Sequence, residues 1–251
     1  MLRRFFKHDG AALLRVLWPI LAAMVGCAVV GMGLNLLMMA LAETKYVTLF
    51  VLLTTAQSIL VLIIAVLMVI GIFYVFYSFY RSMFTDEGYL TLVLPVGTHT
   101  LLLSKLAVGA VFMLGVFAVW GASMVLTYLP MILTVGGSID SSALTSLISS
   151  DSALYMVSMI AELIMSGMLT YAAITLGSIF FTKHKILGAI LFSFVLSSGQ
   201  SIVDAVILLL LFGSPVLDAI ALILQILLSL GISVALYFLM AHLIRNKLNL
   251  T

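Results

Sequence analysis

The stretch RSMFTDEGYLTLVLPVGTHTLLLSK, residues 81–105, is the long polar-flanked interruption in a chain otherwise made of apolar runs. The runs on either side are long enough to cross a bilayer as helices, which takes about 20 apolar residues. The stretch therefore faces water on one side of a membrane. Within it, Thr85-Asp86-Glu87-Gly88 is a capping-and-turn sequence, Tyr89-Leu90-Thr91-Leu92-Val93-Leu94 is a short apolar run, and Pro95-Val96-Gly97 breaks the chain. Thr98 is placed to cap the helix that re-enters the membrane. The pattern predicts a short helix within residues 81–100, lying on the membrane surface with apolar knobs and an acidic shoulder. Such an element is shaped to dock in a partner's groove. An ordinary loop tucked against the headgroups fits the same shape.

Composition sets the class. Of 251 residues, 65% are hydrophobic and 8% charged, against about 45–50% and about 25% in soluble domains. A chain this apolar cannot cover its core with polar surface, so it belongs in a membrane, and its length suits one helical-bundle domain over residues 1–251. The formal net charge of +2 points to no nucleic-acid partner. Cys27 is the sole cysteine, which excludes internal disulfides and cysteine-based metal spacings. No metal site is expected.

Six apolar runs follow one another, at 16–41, 47–80, 101–135, 153–181, 186–212 and 216–243. The fold expected is an all-α membrane protein with six transmembrane helices. The second and third runs exceed one bilayer thickness, so they tilt or project into water. The first is too long for the core of a secretory signal and reads as an uncleaved span. Ahead of it, Leu2, Phe5, Phe6, Leu13, Leu14 and Leu17 share one side of a helix, with Arg3, Arg4, Lys7, His8 and Arg15 on the other. This predicts an amphipathic interfacial helix over residues 1–15, bent at Gly10. The aromatic run at 73–80 has the composition of a headgroup-level belt, and Pro130 is expected to kink the third span.

Orientation follows from the basic residues. With the N-terminus inside, Arg3, Arg4, Lys7, Arg15, Arg81, Lys105, Lys183, Lys185, Arg245 and Lys247 all fall on the inner side, and only Lys45 is outside. Such a bias places both termini in the cytoplasm. His8, His99, His184 and His242 also fall at or near the inner side, without metal-site spacing.

The run Phe84-Thr85-Asp86-Glu87-Gly88-Tyr89-Leu90-Thr91-Leu92, then Leu94-Pro95-Val96 and Leu101-Leu102-Leu103-Ser104-Lys105, closely resembles the first cytoplasmic loop of bacterial permease subunits of type-2 ABC exporters. There the motif reads approximately DEGYLTLTLPV, then LLxSK. The amphipathic start, the six-span layout and the Lys247-Leu248-Asn249-Leu250 tail are also similar to that family. The resemblance implies a coupling helix that seats in a cleft of an ATP-binding subunit, with Asp86, Glu87, Gly88, Tyr89 and Leu90 as partner-contacting residues. It also implies a second permease, identical or homologous, and residence in the bacterial cytoplasmic membrane. Gly97-Thr98-His99-Thr100 departs from the more basic sequence expected after the Pro-Val pair.

No GxxxxGK[ST] phosphate loop, HExxH, GxSxG or acidic pair spaced for hydrolysis occurs in the chain. The expectation is therefore a pump subunit and not an enzyme, binding no cofactor itself, with ATP and Mg on the partner subunit. Polar residues at membrane depth supply the candidate pathway. Ser193, Ser197, Gln200, Ser201 and Asp204 form one stripe in the fifth span, and Ser158, Glu162, Ser166 and Thr170 form another in the fourth. Counted from the outer ends, Glu162 and Asp204 lie at similar depth. The serines are read as packing residues. Asp204 reads equally as a cavity group or as a protonated carboxyl bonded within the bundle, and Glu162 as structural. Asn35 and Gln57 are further cavity candidates, or local caps. The cargo expected is a hydrophobic or amphipathic peptide antibiotic, drug or lipid. The competing class is an ion- or proton-coupled secondary transporter that uses Asp204 and Glu162.

Overall fold

The computed structural model describes residues 2–41, 47–85, 98–135, 150–181, 184–211 and 215–247. These form six helices: α1 (Leu2–Leu41), α2 (Val47–Phe84), α3 (Thr98–Val135), α4 (Ser150–Phe180), α5 (Lys185–Leu211) and α6 (Pro215–Lys247). All six are long and apolar enough to cross a membrane, and no strand occurs among the described residues. The chain is an all-helical, multi-pass membrane protein. Its outer faces carry the side chains that lipid would solvate, such as Phe73, Phe194 and Leu209.

The helices extend past the apolar runs because polar residues continue them at their ends. At 38 residues each, α2 and α3 measure about 57 Å at 1.5 Å per residue, well beyond the roughly 30 Å hydrocarbon core. The helix α1 runs through Gly10 and Pro19. The N-terminal segment expected as a separate interfacial helix is thus the first part of α1. Gly10 itself packs towards Phe112, whose ring lies 3.6 Å from where a Cβ would stand. Pro130 lies inside α3, which continues to Val135.

By contact the chain divides into two compact units. The first comprises the described parts of Lys7–Val75 and Val111–Thr145: most of α1, most of α2 and the second part of α3. Each helix buries one stripe at steps of three, four or seven residues. These are Leu13, Leu17, Met24, Ala28, Gly31 and Asn35 on α1; Gln57, Ile64, Gly71 and Val75 on α2; Met113, Val116, Ser123 and Thr127 on α3. Helices already solvated by lipid gain nothing from apolar burial, so close packing and buried polar contacts hold them. Gly71 shows the packing: a Cβ there would meet Val116 at 3.4 Å. Met24, Ala28 and Ile64 make an apolar layer. Asn35, Gln57 and Thr127 meet around Gly31, nearer the C-terminal end of α1.

The second unit joins the described parts of Met1–Phe6 and Phe76–Ala110, that is the first residues of α1, the end of α2 and the start of α3, to the described part of Ser146–Thr251. The helix α4 is its hub, with 56% of its span window buried against 6% for α5. Phe79, Met83, Leu102, Met165, Tyr171 and Met240 lie in its core. Of the expected aromatic belt, Phe76 and Phe79 turn inward onto Tyr171, with ring centroids at 5.2 and 4.5 Å, while Phe73 and Tyr77 stay outward. Helical periodicity splits such a run between two faces. The Lys185 Nζ–H group donates to the Phe84 carbonyl at 3.4 Å, which brings the end of α2 and the start of α5 to one end of the unit.

Two glycines set the approach of helices here. A Cβ on Gly177 would stand 2.3 Å from the Ala189 nitrogen, so the α4 and α5 backbones touch at this point. Gly188 likewise receives the Phe181 ring. Gly109 of α3 lies under the Tyr171 hydroxyl, 1.9 Å from where a Cβ would be.

Candidate functional site

The crossing of α4 and α5 fixes what meets further along. Glu162 lies fifteen residues before Gly177, and Asp204 lies fifteen after Ala189. In an antiparallel pair of helices, equal counts from the contact bring two residues to the same level, about 22 Å away at 1.5 Å per residue. Glu162 and Asp204 are accordingly close enough for their charges to repel.

Each carboxyl has its own carboxamide. Gln200, one turn before Asp204 on α5, donates its Nε2–H to Asp204 Oδ1 at 2.9 Å. Gln225 of α6 donates its Nε2–H to Glu162 Oε1. Three helices thus contribute to one polar cluster, set roughly 10–18 Å in from the helix ends at Ser150, Leu211 and Pro215. Glu162 is exposed on the unit's surface, while Gln200, Asp204 and Gln225 are half-buried. A carboxylate bonded to one amide keeps lone pairs on its second oxygen. Two such groups within reach of each other's charge make a site that favours a proton, a cation or the cationic part of a larger molecule.

The serine stripes do other work. Ser193, Ser197 and Ser201 bond to the carbonyls of Ile190, Phe194 and Ser197 on their own helix, at 2.8, 3.1 and 3.0 Å. Ser158, Ser166 and Thr170 do the same on α4. These hydroxyls satisfy themselves locally, which lets small side chains sit at a helix surface without a cross-helix partner. Ser197 and Ser201 are exposed beside the cluster.

Gln225 is the member that sequence reasoning missed. Its signal was present: Gln225, Ser229 and Ser233 repeat at intervals of four on α6, and each serine bonds the carbonyl four residues back at 2.7 Å.

Asn35 and Gln57 belong to the other unit. Asn35 donates its Nδ2–H to the Thr127 carbonyl at 2.7 Å and to the Gly31 carbonyl at 3.3 Å. Thr127 stands three residues before Pro130. A proline removes one donor from its helix and disturbs the carbonyls of the turn before it, which then seek other donors. Asn35 therefore ties α1 to α3 and is no cap of a local turn alone. Gln57 lies beside the bare Cα of Gly31: a Cβ there would stand 3.5 Å from Gln57 Nε2 and 3.0 Å from the Thr127 methyl.

The expected partner contacts, Asp86, Glu87, Gly88, Tyr89 and Leu90, lie outside the described residues, as does most of 81–100. Their flanks are anchored: Met83, Phe84, Leu101 and Leu102 are buried in the core of the second unit. Comparison of the chain with protein-family models, with curated proteins and with solved structures finds no match.

Proposed function

We propose that this chain is the permease subunit of an ATP-driven exporter of the type-2 ABC class. It works in a bacterial cytoplasmic membrane with a second permease and two ATP-binding subunits. The observation that carries this reading is the sequence from Phe84 to Lys105, with its DEGYLTL core, set between two helices of 38 residues each. Helices that outrun the bilayer hold such a segment in water, where a soluble partner can reach it. The lack of a phosphate loop anywhere in the sequence leaves ATP hydrolysis to another chain.

On this reading Asp86, Glu87, Gly88, Tyr89 and Leu90 seat in the ATP-binding subunit, and closure of that subunit moves α2 and α3 as rigid levers. The exposed carboxyl cluster on α4–α6 supports a pathway or a second permease on that face. A charge left against lipid at the centre of a span costs roughly 2.5–3.5 kcal/mol on insertion scales. The cargo is a hydrophobic or amphipathic peptide antibiotic, drug or lipid, with Ser197, Gln200, Ser201 and Asp204 along its route.

The test is co-expression with candidate ATP-binding subunits, purification and reconstitution. Charge reversal with Asp86→Lys and Glu87→Lys is expected to break assembly or uncouple ATP turnover while leaving the bundle folded. Coupled transport at the wild-type rate in that variant refutes the docking role. A second reading is favoured by the meeting of Glu162 and Asp204: a secondary transporter in which the pair carries a proton or cation. Flux driven by an ion gradient alone, with no ATPase co-purifying, selects it.

A further inference from the structure

One end of the second unit gathers basic side chains. Phe84, Leu101 and Ile244 belong to one core cluster, which places the end of α2, the start of α3 and the end of α6 at that end. Arg81 stands three residues before Phe84, Lys105 four after Leu101, and Arg245 directly after Ile244. Lys185 joins them from the start of α5 through its bond to the Phe84 carbonyl. In sequence, the segments 76–105, 181–185 and 241–251 carry Arg81, Lys105, Lys183, Lys185, Arg245 and Lys247 against two carboxylates, Asp86 and Glu87. The carboxylate of α5, Asp204, lies nineteen residues on from Lys185. That is about 28 Å at 1.5 Å per residue, well beyond a Debye length of about 8 Å.

The surroundings of Lys185 select the partner. Ile186 and Leu187 beside it are exposed, as are Phe180 and Phe181 across the turn from α4. The half-buried amine therefore stands where lipid-facing hydrocarbon gives way to water. A phospholipid meets both demands at once, since its acyl chains cover the apolar side chains and its headgroup reaches the amine. Lys185 spends one N–H on the Phe84 carbonyl, and an ammonium has three, so its other donors suit phosphate oxygens. We propose that this end of the second unit binds the headgroup of an anionic phospholipid. Lys185 holds the lipid phosphate against the end of α2, and the exposed Arg81 and Arg245 add attraction over a longer range. Basic groups between helix ends commonly hold anionic headgroups in this way. The inference needs only helices that sit in a bilayer and is independent of ATP-driven export.

Native mass spectrometry of the full-length protein in detergent, with equimolar phosphatidylglycerol and phosphatidylcholine added, tests it. Both lipids carry a phosphate, and only the first carries a net charge. The wild type is expected to retain phosphatidylglycerol in preference. Lys185→Gln is expected to lower that preference about fivefold, the weight of one basic residue at an anionic surface, and Lys185→Arg, which keeps the charge, to preserve it. Lys45→Gln removes an equal charge from the connection between α1 and α2 and is expected to change the preference less than about twofold. Equal retention of the two lipids by the wild type overturns the proposal. So does an equal loss in Lys45→Gln, which would show net charge alone at work. A loss in Lys185→Arg as large as in Lys185→Gln overturns it as well, because Lys185 would then act only through the fold. Displacement of the bound lipid by inorganic phosphate would do the same, since the site would then take a free anion.

Discussion

Gly177→Ala is the perturbation whose size can be worked most directly from the structure. The added methyl would stand 2.3 Å from the Ala189 nitrogen, 2.6 Å from the Ala189 Cα and 2.7 Å from the Gly188 carbonyl carbon. Ordinary contact begins near 3.4 Å, so α4 and α5 must separate by at least 1.1 Å at their crossing. All three obstructing atoms are backbone, and no rotamer change relieves them. A gap of about 0.5–1 Å already forfeits a quarter to a half of each dispersion contact it opens. Overpacking of this kind typically costs about 1–3 kcal/mol, and with only backbone to move the upper half of that range applies. For a chain of this size each kcal/mol shifts Tm by about 2–4 °C, so the expected fall is roughly 4–12 °C. Fluorescence-detected size-exclusion thermal stability in nanodiscs measures it. Gly199→Ala in α5 is the matched control, because a Cβ there meets nothing within 4 Å. It is expected to be neutral or stabilising by up to about 1 kcal/mol. A Gly177→Ala protein that melts within about 1 °C of the wild type refutes the close crossing and the register drawn from it.

Gly109→Ala is expected to destabilise by about 1–3 kcal/mol through the Tyr171 hydroxyl that lies over it. Tyr171→Phe alone is expected to be neutral or mildly stabilising, because that buried hydroxyl has no partner among the described residues; adding it to Gly109→Ala should restore part of the lost Tm. Asn35→Ala should cost about 1–3 kcal/mol by leaving the Thr127 carbonyl without its side-chain donor. Pro130→Ala should weaken that dependence, with a coupling of about 0.5–1 kcal/mol in a double-mutant cycle of denaturation midpoints. Glu162→Leu and Gln225→Leu both remove the α4–α6 hydrogen bond, so each should lower reconstituted flux and the double variant should be no worse than the more severe single one. Additive losses would show that the two residues act separately.

The helices were legible in the sequence because apolar runs and their polar ends mark spans directly. The second run was expected to begin at 47 and the helix does; the fifth was expected over 186–212 and spans Lys185–Leu211. What sequence missed is of one kind. A separate interfacial helix is expected over residues 1–15, yet α1 runs unbroken from Leu2 to Leu41, because glycine permits a helix to break without imposing it. The aromatic run at 73–80 was read as a belt by composition, whereas its period sends Phe76 and Phe79 inward. Asn35 was read as a cavity group or a cap, since a bond across 92 residues to Thr127 leaves no local trace. Depth counted from the span ends did put Glu162 and Asp204 level. That their charges come within reach of each other depends on Gly177 meeting the α5 backbone, a tertiary contact that no single-helix pattern encodes.

Both units bury neutral polar groups, among them Thr127 in the first and Ser104, Thr175 and Ser229 in the second, while the carboxylate Glu162 stays exposed; the difference follows from charge. The α1–α3 unit holds neutral amides and hydroxyls, which backbone carbonyls can satisfy, as those of Thr127 and Ser123 do for Asn35 and Thr127. Asn35 and Gln57 are accordingly buried, each 6% exposed. A carboxylate needs more: a proton, a counter-charge or a polar medium. The α4–α6 carboxyls have one amide each, and Glu162 remains exposed on a helix whose neighbour α5 is itself mostly unburied. An amide bond lowers the demand of a carboxylate without meeting it. Lipid cannot supply the remainder, so the face that carries Glu162, Ser197 and Ser201 has to meet water or protein.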